Sequence, residues 1–338
     1  MNTFLGASLD ISSSPLVESA SMRTGCFYYG WYGTPDGPSG AWAHWDPTHP
    51  TYNVAWKPAQ GYYDSLNPSI AKTHLTQLID HEFDFLVHSW WGSTDQTEKV
   101  LDLHLTLLKG ALPSPTAPSP IQVAALIEQV SSEPDFVDAI VHLATKARAY
   151  PSIWLQLDGR PALFVWAKVL DVLSPSECKR AIDKARATVP FYIFVDNPNG
   201  RAPDYFSTGA WDGVHDYGGA KGVEPNELQW VIDNWNVAKS AITASGRTSP
   251  KPAFAPAISP GWQFVPPTPG GSTLLDRPRL DGEHLLAYFR EAILTGPDLL
   301  LWTSYNEFHE GTNIEPDLVN GDRYLRFAKQ LNRLLHAI

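Results

Sequence analysis

The sequence predicts a single α/β domain folded as a (β/α)8 TIM barrel, with long aromatic loops on its C-terminal face. Three observations carry that expectation. Apolar runs of strand length recur along the chain, each followed by a segment of helical periodicity. The runs are almost continuously apolar, as they are when helices cover both faces of a parallel sheet. Acidic, imidazole and aromatic side chains gather just past the ends of those runs, where a barrel of this type concentrates its working groups.

The first strand is expected at residues 25–33 (GCFYYGWYG), followed by a long aromatic loop and a helix over 69–81. A second strand at 82–91 (EFDFLVHSWW) leads to a helix over 97–109. LPSPTAPSP reads as a helix-to-strand loop on the stability face, ahead of a strand at 121–127 and a helix over 135–149. SIWLQL, at 152–157, reads as an extra hairpin strand beside the fourth strand at 161–167. The next helix starts at Ser174-Pro175, a cap followed by a proline. The fifth strand, at 191–196, has only a weak helix after it, near 204–207. The sixth, seventh and eighth strands are placed at 210–217, 253–259 and 299–305, with helices over 226–245, 282–294 and 322–335. A doubly wound open sheet is the rival topology.

Residues 1–24 read as a flexible N-terminal arm and 25–338 as the barrel domain. The arm lacks a basic start followed by an apolar run, so no signal peptide is expected. No stretch is long and apolar enough to span a bilayer, and an intracellular location is the default expectation. The chain carries 36 acids against 25 bases, a net charge of −11, which disfavours nucleic-acid partners. Two cysteines, Cys26 and Cys178, leave no disulfide framework and no thiolate zinc module. No metal site or cofactor is expected, and nothing in the sequence indicates an oligomeric state. The 11 histidines are scattered; His74, His81, His104 and His142 fall in helical stretches and read as surface or capping residues.

The segment richest in chemistry is TSYNEFHEGTNIEP, residues 303–316. Glu307 and Glu310 stand three apart where the apolar run LLLW gives out, a spacing that brings both to one side of a turn. Adjacent carboxyls drive their pKa values apart, so that one serves as base and one as acid, the division glycoside cleavage needs. The bland alternative is a solvated acidic turn. His309-Glu310 begins a zinc-protease pattern, but the position of the second histidine is Asn313. Residues 34–66 form a loop holding Trp42, His44, Trp45, Trp56, Lys57, Tyr62 and Tyr63. Long irregular loops are usually functional, and sugars present C–H faces to flat rings and hydroxyls to polar tips. A second loop, 263–280, carries Arg277 and Arg279, expected to pair with acids.

TSYNEFHEGTNIEP closely resembles the segment around the catalytic glutamates of glycoside hydrolase family 99, the endo-α-mannosidases and endo-α-1,2-mannanases. GCFYYGWYG, FDFLVHSWWG, GAWDGVHDYG and FAPAISPGW are similar to that family's first, second, sixth and seventh strand motifs, in order. The resemblance implies a metal-free, retaining cleavage of an α-linked, mannoside-like glycan. Glu307 would be general base on the substrate's own 2-hydroxyl, and Glu310 general acid and then base toward water. It implies substrate contacts from Tyr28 or Tyr29 and from Tyr217, with Trp91 as a stacking wall. His44, Trp45, Glu128, Asn306 and His309 complete the expected binding set. Leu126 and Val130 stand where the family's third strand has His and Tyr around Glu128, and Phe308 stands for a Trp. A non-catalytic carbohydrate-binding or polysaccharide-assembly protein, or a transglycosylase, remains the alternative reading. An oligosaccharide or polysaccharide is the expected partner in each case, with no nucleic acid and no membrane.

Overall fold

The computed structural model describes residues 22–45, 54–218, 227–263 and 276–337. Of the expected N-terminal arm, residues 1–21 lie outside the described residues.

Eight parallel strands form the barrel wall: β1 Arg23–Tyr28, β2 Phe85–Trp90, β3 Gln122–Ile127, β4 Arg160–Val165, β5 Tyr192–Asp196, β6 Gly213–His215, β7 and β8 Leu299–Trp302. β7 is two short pieces, Ala253–Ala255 and Ala257–Ile258, split at Pro256, which has no N–H to give the ladder. Its first piece pairs with β6 and its second with β8, while β8 pairs with β1. That hinge closes the ring, so the structure is the barrel and not the open sheet. β1 starts at Arg23, two residues before the expected position: Arg23 and Thr24 are in register with Leu299 and Leu300. Gln156–Leu157 pairs antiparallel with the start of β4, as the hairpin reading of SIWLQL expected.

The helices are α1 Pro68–Asp80, α2 Gln96–Ala111, α3 Glu133–Arg148, α4 Ala167–Val172, α5 Pro175–Arg186, α6 Ala202–Phe206, α7 Glu227–Ala244, α8 Glu283–Leu294 and α9 Arg323–His336. Local chemistry sets several starts. Asn67, Asp95 and Ser132 each accept a backbone N–H of the first turn. Ser174 and Glu177 form a reciprocal capping box on α5.

Alternation along the strands sorts side chains between the barrel interior and the helix layer. Phe164 and Phe194 stack inside with ring centres 4.5 Å apart, and Phe27 and His215 meet there too, centres 6.0 Å apart. Gly25 and Gly213 make room for this filling: a Cβ on Gly25 would sit 2.1 Å from the Phe85 ring, and one on Gly213 2.5 Å from Phe194. At the opposite, N-terminal end, carboxylates tie strand starts together. Asp84 accepts Thr24 N–H, Asp212 accepts Ile193 N–H, and Asp298 accepts Phe254 N–H. Buried Asp212 also gathers Arg186, Arg247 and Arg160. One face of the barrel is therefore stapled by ion pairs, and the other is left for chemistry.

Two sequence expectations fail in the helix layer. His74 and His104 are fully buried, not surface residues. His74 contacts the Tyr28 hydroxyl (3.0 Å), and His104 Nδ1 contacts His88 Nε2 (2.8 Å). Both face inward from α1 and α2, where amphipathic helices bury one stripe and the stripe need not be apolar. No helix among the described residues is long and apolar enough to cross a membrane.

Candidate active site

The eighth strand ends at Trp302, and the chain turns through Thr303–Glu310 across the mouth of the barrel. A cis peptide joins Thr303 to Ser304. Ser304 Oγ accepts the Glu307 N–H (2.8 Å), and Ser304 N–H reaches the Thr312 carbonyl (3.0 Å), which closes the segment into a compact loop. Asn306 braces it from below. Its side chain accepts from Tyr29 N–H (2.7 Å) and donates to the Tyr29 carbonyl (2.8 Å), as a strand partner would.

Glu307 is buried, with the His309 N–H donating to Oε1 at 2.9 Å. Burial and the nearby charge of Glu310 push its carboxyl well above the ordinary carboxylate range. Glu310 is half-buried and accepts a hydrogen bond from the Tyr217 hydroxyl (2.9 Å), which accepts in turn from Tyr29 (2.6 Å). Burial holds both phenols far above pH 7 as donors. The Tyr29 hydroxyl feels the charges of Glu128, Glu310 and Glu307 together, so β1, β3, β6 and the β8 loop converge on one point.

Glu128 follows β3 and is almost wholly buried; burial drives its carboxyl up to about 8. Ser89 hydrogen-bonds it and also accepts the Trp91 indole N–H (2.9 Å), which orients that ring. Oε1 of Glu128 has no hydrogen-bond partner within the protein. Asp216 is likewise pushed up to about 8 by burial and by Asp196. Asp196 instead collects the N–H groups of Ala167, Asn197 and Tyr217.

The rim is aromatic. His44, in the left-handed region at φ 61°, stacks on Trp31 with ring centres 4.2 Å apart. Burial lowers its imidazole to about 4, so it is neutral near pH 7. His309 lies 5.8 Å from it, ring to ring, and Trp91 lies 5.9 Å from Trp31. Lys168, just past β4, places its ammonium 5.3 Å from the Trp91 ring and 5.0 Å from the Trp166 ring.

The model of glycosyl hydrolase family 99 matches residues 20–333 of this chain. The chain belongs to that family. It is 24% identical over 324 residues to glycoprotein endo-alpha-1,2-mannosidase of Rattus norvegicus, covering 86% of this chain and 66% of that protein. The Mus musculus protein of the same name is 26% identical over 325 residues, with the same coverage. The chain thus spans just under two thirds of the length of these relatives. The family 99 endo-alpha-mannosidase of Bacteroides thetaiotaomicron superposes with a TM-score of 0.76 over 94% of this chain and 98–99% of that one, at 22% identity, which shows the fold.

Of the family 99 residues expected from the sequence, the structure brings Tyr29, Trp91, Glu128, Tyr217, Glu307 and Glu310 to the barrel mouth, with His44 and His309 at its edge. It does not bring Tyr28, Trp45 or Asn306. Tyr28 is fully buried and points into the helix layer, against His74, His88 and His104. Period-two alternation explains it: Phe27 and Tyr29 face the interior, so Tyr28 cannot. Trp45 is fully buried too, stacked 3.7 Å from Tyr32 with its N–H on the Tyr63 carbonyl (3.0 Å). It is the core of the first loop. Asn306 spends its amide on Tyr29. Arg279, expected to pair with acids, donates to backbone carbonyls and to the Asn313 side chain. Sequence reasoning missed Lys168, although its place just past a strand end was a signal. Of the expected departures, Leu126 is buried in register with Ser89 and Phe164, and Val130 is buried beyond Glu128.

Proposed function

We propose that this chain is a retaining α-mannoside hydrolase that cuts within an α-linked glycan, using Glu307 and Glu310. One observation carries the reading: a buried carboxyl and a half-buried carboxyl meet at the barrel mouth beside a hydrogen-bonded tyrosine pair, Tyr29 and Tyr217.

Glu307 takes the proton of the sugar 2-hydroxyl as that oxygen attacks the anomeric carbon. The bond to the leaving oxygen breaks while Glu310 delivers a proton to it, giving a 1,2-anhydro sugar. Glu310, now ionised, removes a proton from water as the water attacks the anomeric carbon. The three-membered ring opens and Glu307 returns its proton to the 2-oxygen. The raised pKa of Glu307 makes its carboxylate a stronger base and moves the acidic limb of the rate profile upward. That limb belongs to the pair and not to one residue.

Tyr217 holds Glu310 while the donor is used, and Trp91, fixed by Ser89, offers a flat face to a sugar ring. The orphan Oε1 of Glu128 takes a sugar hydroxyl. The test is release of reducing ends from an α-1,2-linked mannan. Glu307→Gln and Glu310→Gln each abolish release and keep sugar binding; a Glu310→Gln enzyme at the wild-type rate would remove the acid from its role.

A further inference from the structure

Arg279 is buried, yet its guanidinium remains charged: burial lowers it only to about 10. It lies between the rings of Trp56 and Tyr324, with Cζ 4.1 Å and 4.3 Å from their centres. Its Nη2 donates to the Gly311 carbonyl (3.1 Å), the Asn313 carbonyl (2.7 Å) and Asn313 Oδ1 (3.2 Å). Nε and Nη1 are buried with no hydrogen-bond partner and are covered by the two rings, so the whole hydrogen bonding of this guanidinium goes through Nη2 to three oxygens of one short loop.

That loop begins at Glu310. The Glu310 carbonyl accepts the Gln263 N–H (2.8 Å), and Gly311 stands at φ 61°. A Cβ on Gly311 would lie 2.8 Å from both the Gln263 carbonyl oxygen and the Trp56 ring. Asn313, held by Arg279, donates onward to the Glu315 carbonyl (3.2 Å) and to Asp317 (3.4 Å). The backbone on the far side of Glu310 is therefore gripped by Gln263 and Arg279, while Tyr217 holds the carboxyl end. Glu310 has no helix or strand of its own to hold it.

We propose that Arg279 is a positioning residue for the proton donor: by gripping the Gly311 and Asn313 carbonyls it sets where Glu310 presents its carboxyl. This rests on the role given to Glu310 above. Lysine keeps the charge but lacks the flat group that lies against Trp56 and Tyr324, so it restores the grip only in part.

A misplacement of about 1 Å costs a reacting group up to about 100-fold, and a proton donor matters only when the leaving group needs a proton. The experiment compares kcat/KM for an α-1,2-linked oligomannoside and for the α-fluoride of the same glycone, whose leaving group needs little protonation. Wild type, Glu310→Gln, Arg279→Ala and Arg279→Lys are measured, each with its thermal midpoint. Glu310→Gln loses far more on the oligosaccharide than on the fluoride. Arg279→Ala shows the same split, about 30–100-fold against less than about fivefold, and Arg279→Lys falls between wild type and Arg279→Ala. If Arg279→Ala does not fold, the Lys variant carries the comparison. Equal losses on both substrates, or no loss, overturn the proposal while leaving the function standing. A wild type inactive on both substrates, or a Glu310→Gln enzyme without the split, brings down the functional reading and this proposal with it.

Discussion

Replacing Glu128 by glutamine should make the protein more stable at neutral and alkaline pH. The native carboxyl is driven from an ordinary 4.5 up to about 8 by burial and by the charges of Glu310 and Asp196. Folded protein therefore keeps a proton that the unfolded chain gives up. The stability Glu128 contributes as a neutral acid is fully present below about pH 4.5 and is lost as pH rises through about 8. At about 1.4 kcal/mol for each pH unit of separation, the full loss is on the order of 5 kcal/mol. Glutamine has the same shape and no proton to lose. Its amide oxygen can accept from Ser89, which keeps the Trp91 indole in place. The assay is urea unfolding of both proteins at pH 5, 7 and 9. At pH 5 the two agree within about 1 kcal/mol; at pH 9 the variant is ahead by several kcal/mol. Stability curves that run parallel across this range would refute the account of Glu128 as a buried, proton-holding acid.

The acid side has its own limit. Burial lowers His88 to about 3, so folding keeps it neutral and stability is lost as pH falls from about 6.5 toward 3; His88→Gln should flatten that decline in thermal melts from pH 7 to 4. Trp45→Ala removes a fully buried indole and should cost about 3–5 kcal/mol in urea unfolding; normal stability with a raised KM would instead place Trp45 against substrate. Trp91→Ala should leave the melting point within a few degrees and weaken glycan binding by about tenfold in calorimetry, as loss of one aromatic contact does; unchanged binding would remove Trp91 from the sugar site.

The barrel was legible because its signal is local. Apolar runs such as FLVHSW and LLLW and the cap of α5 announce themselves within a few residues. Glu307 and Glu310 were legible for the same reason, through spacing and an apolar strand just before them. Choosing between Tyr28 and Tyr29 required knowing which face of β1 meets the interior. The adjacent tyrosines of GCFYYG give no period to read, and the register became visible only once Phe27 was seen beside His215. His74 and His104 look like helix-surface residues in a linear reading, since their buried partners, Tyr28 and His88, stand on strands that only the folded barrel brings against those helices. Arg279 is the clearest case. Its three acceptors are oxygens of a loop more than 30 residues on, two of them backbone carbonyls, which no side-chain pattern advertises.

The central claim is that Glu307 and Glu310 work in sequence on an α-linked sugar, in two displacements at one carbon. The most direct measurement is a proton NMR time course of an α-1,2-linked oligomannoside with wild-type enzyme, read before mutarotation. Two displacements at the anomeric carbon make the new reducing end appear first as the α anomer. First appearance of the β anomer would mean a single displacement by water, and the two-step scheme with the 2-hydroxyl would be wrong.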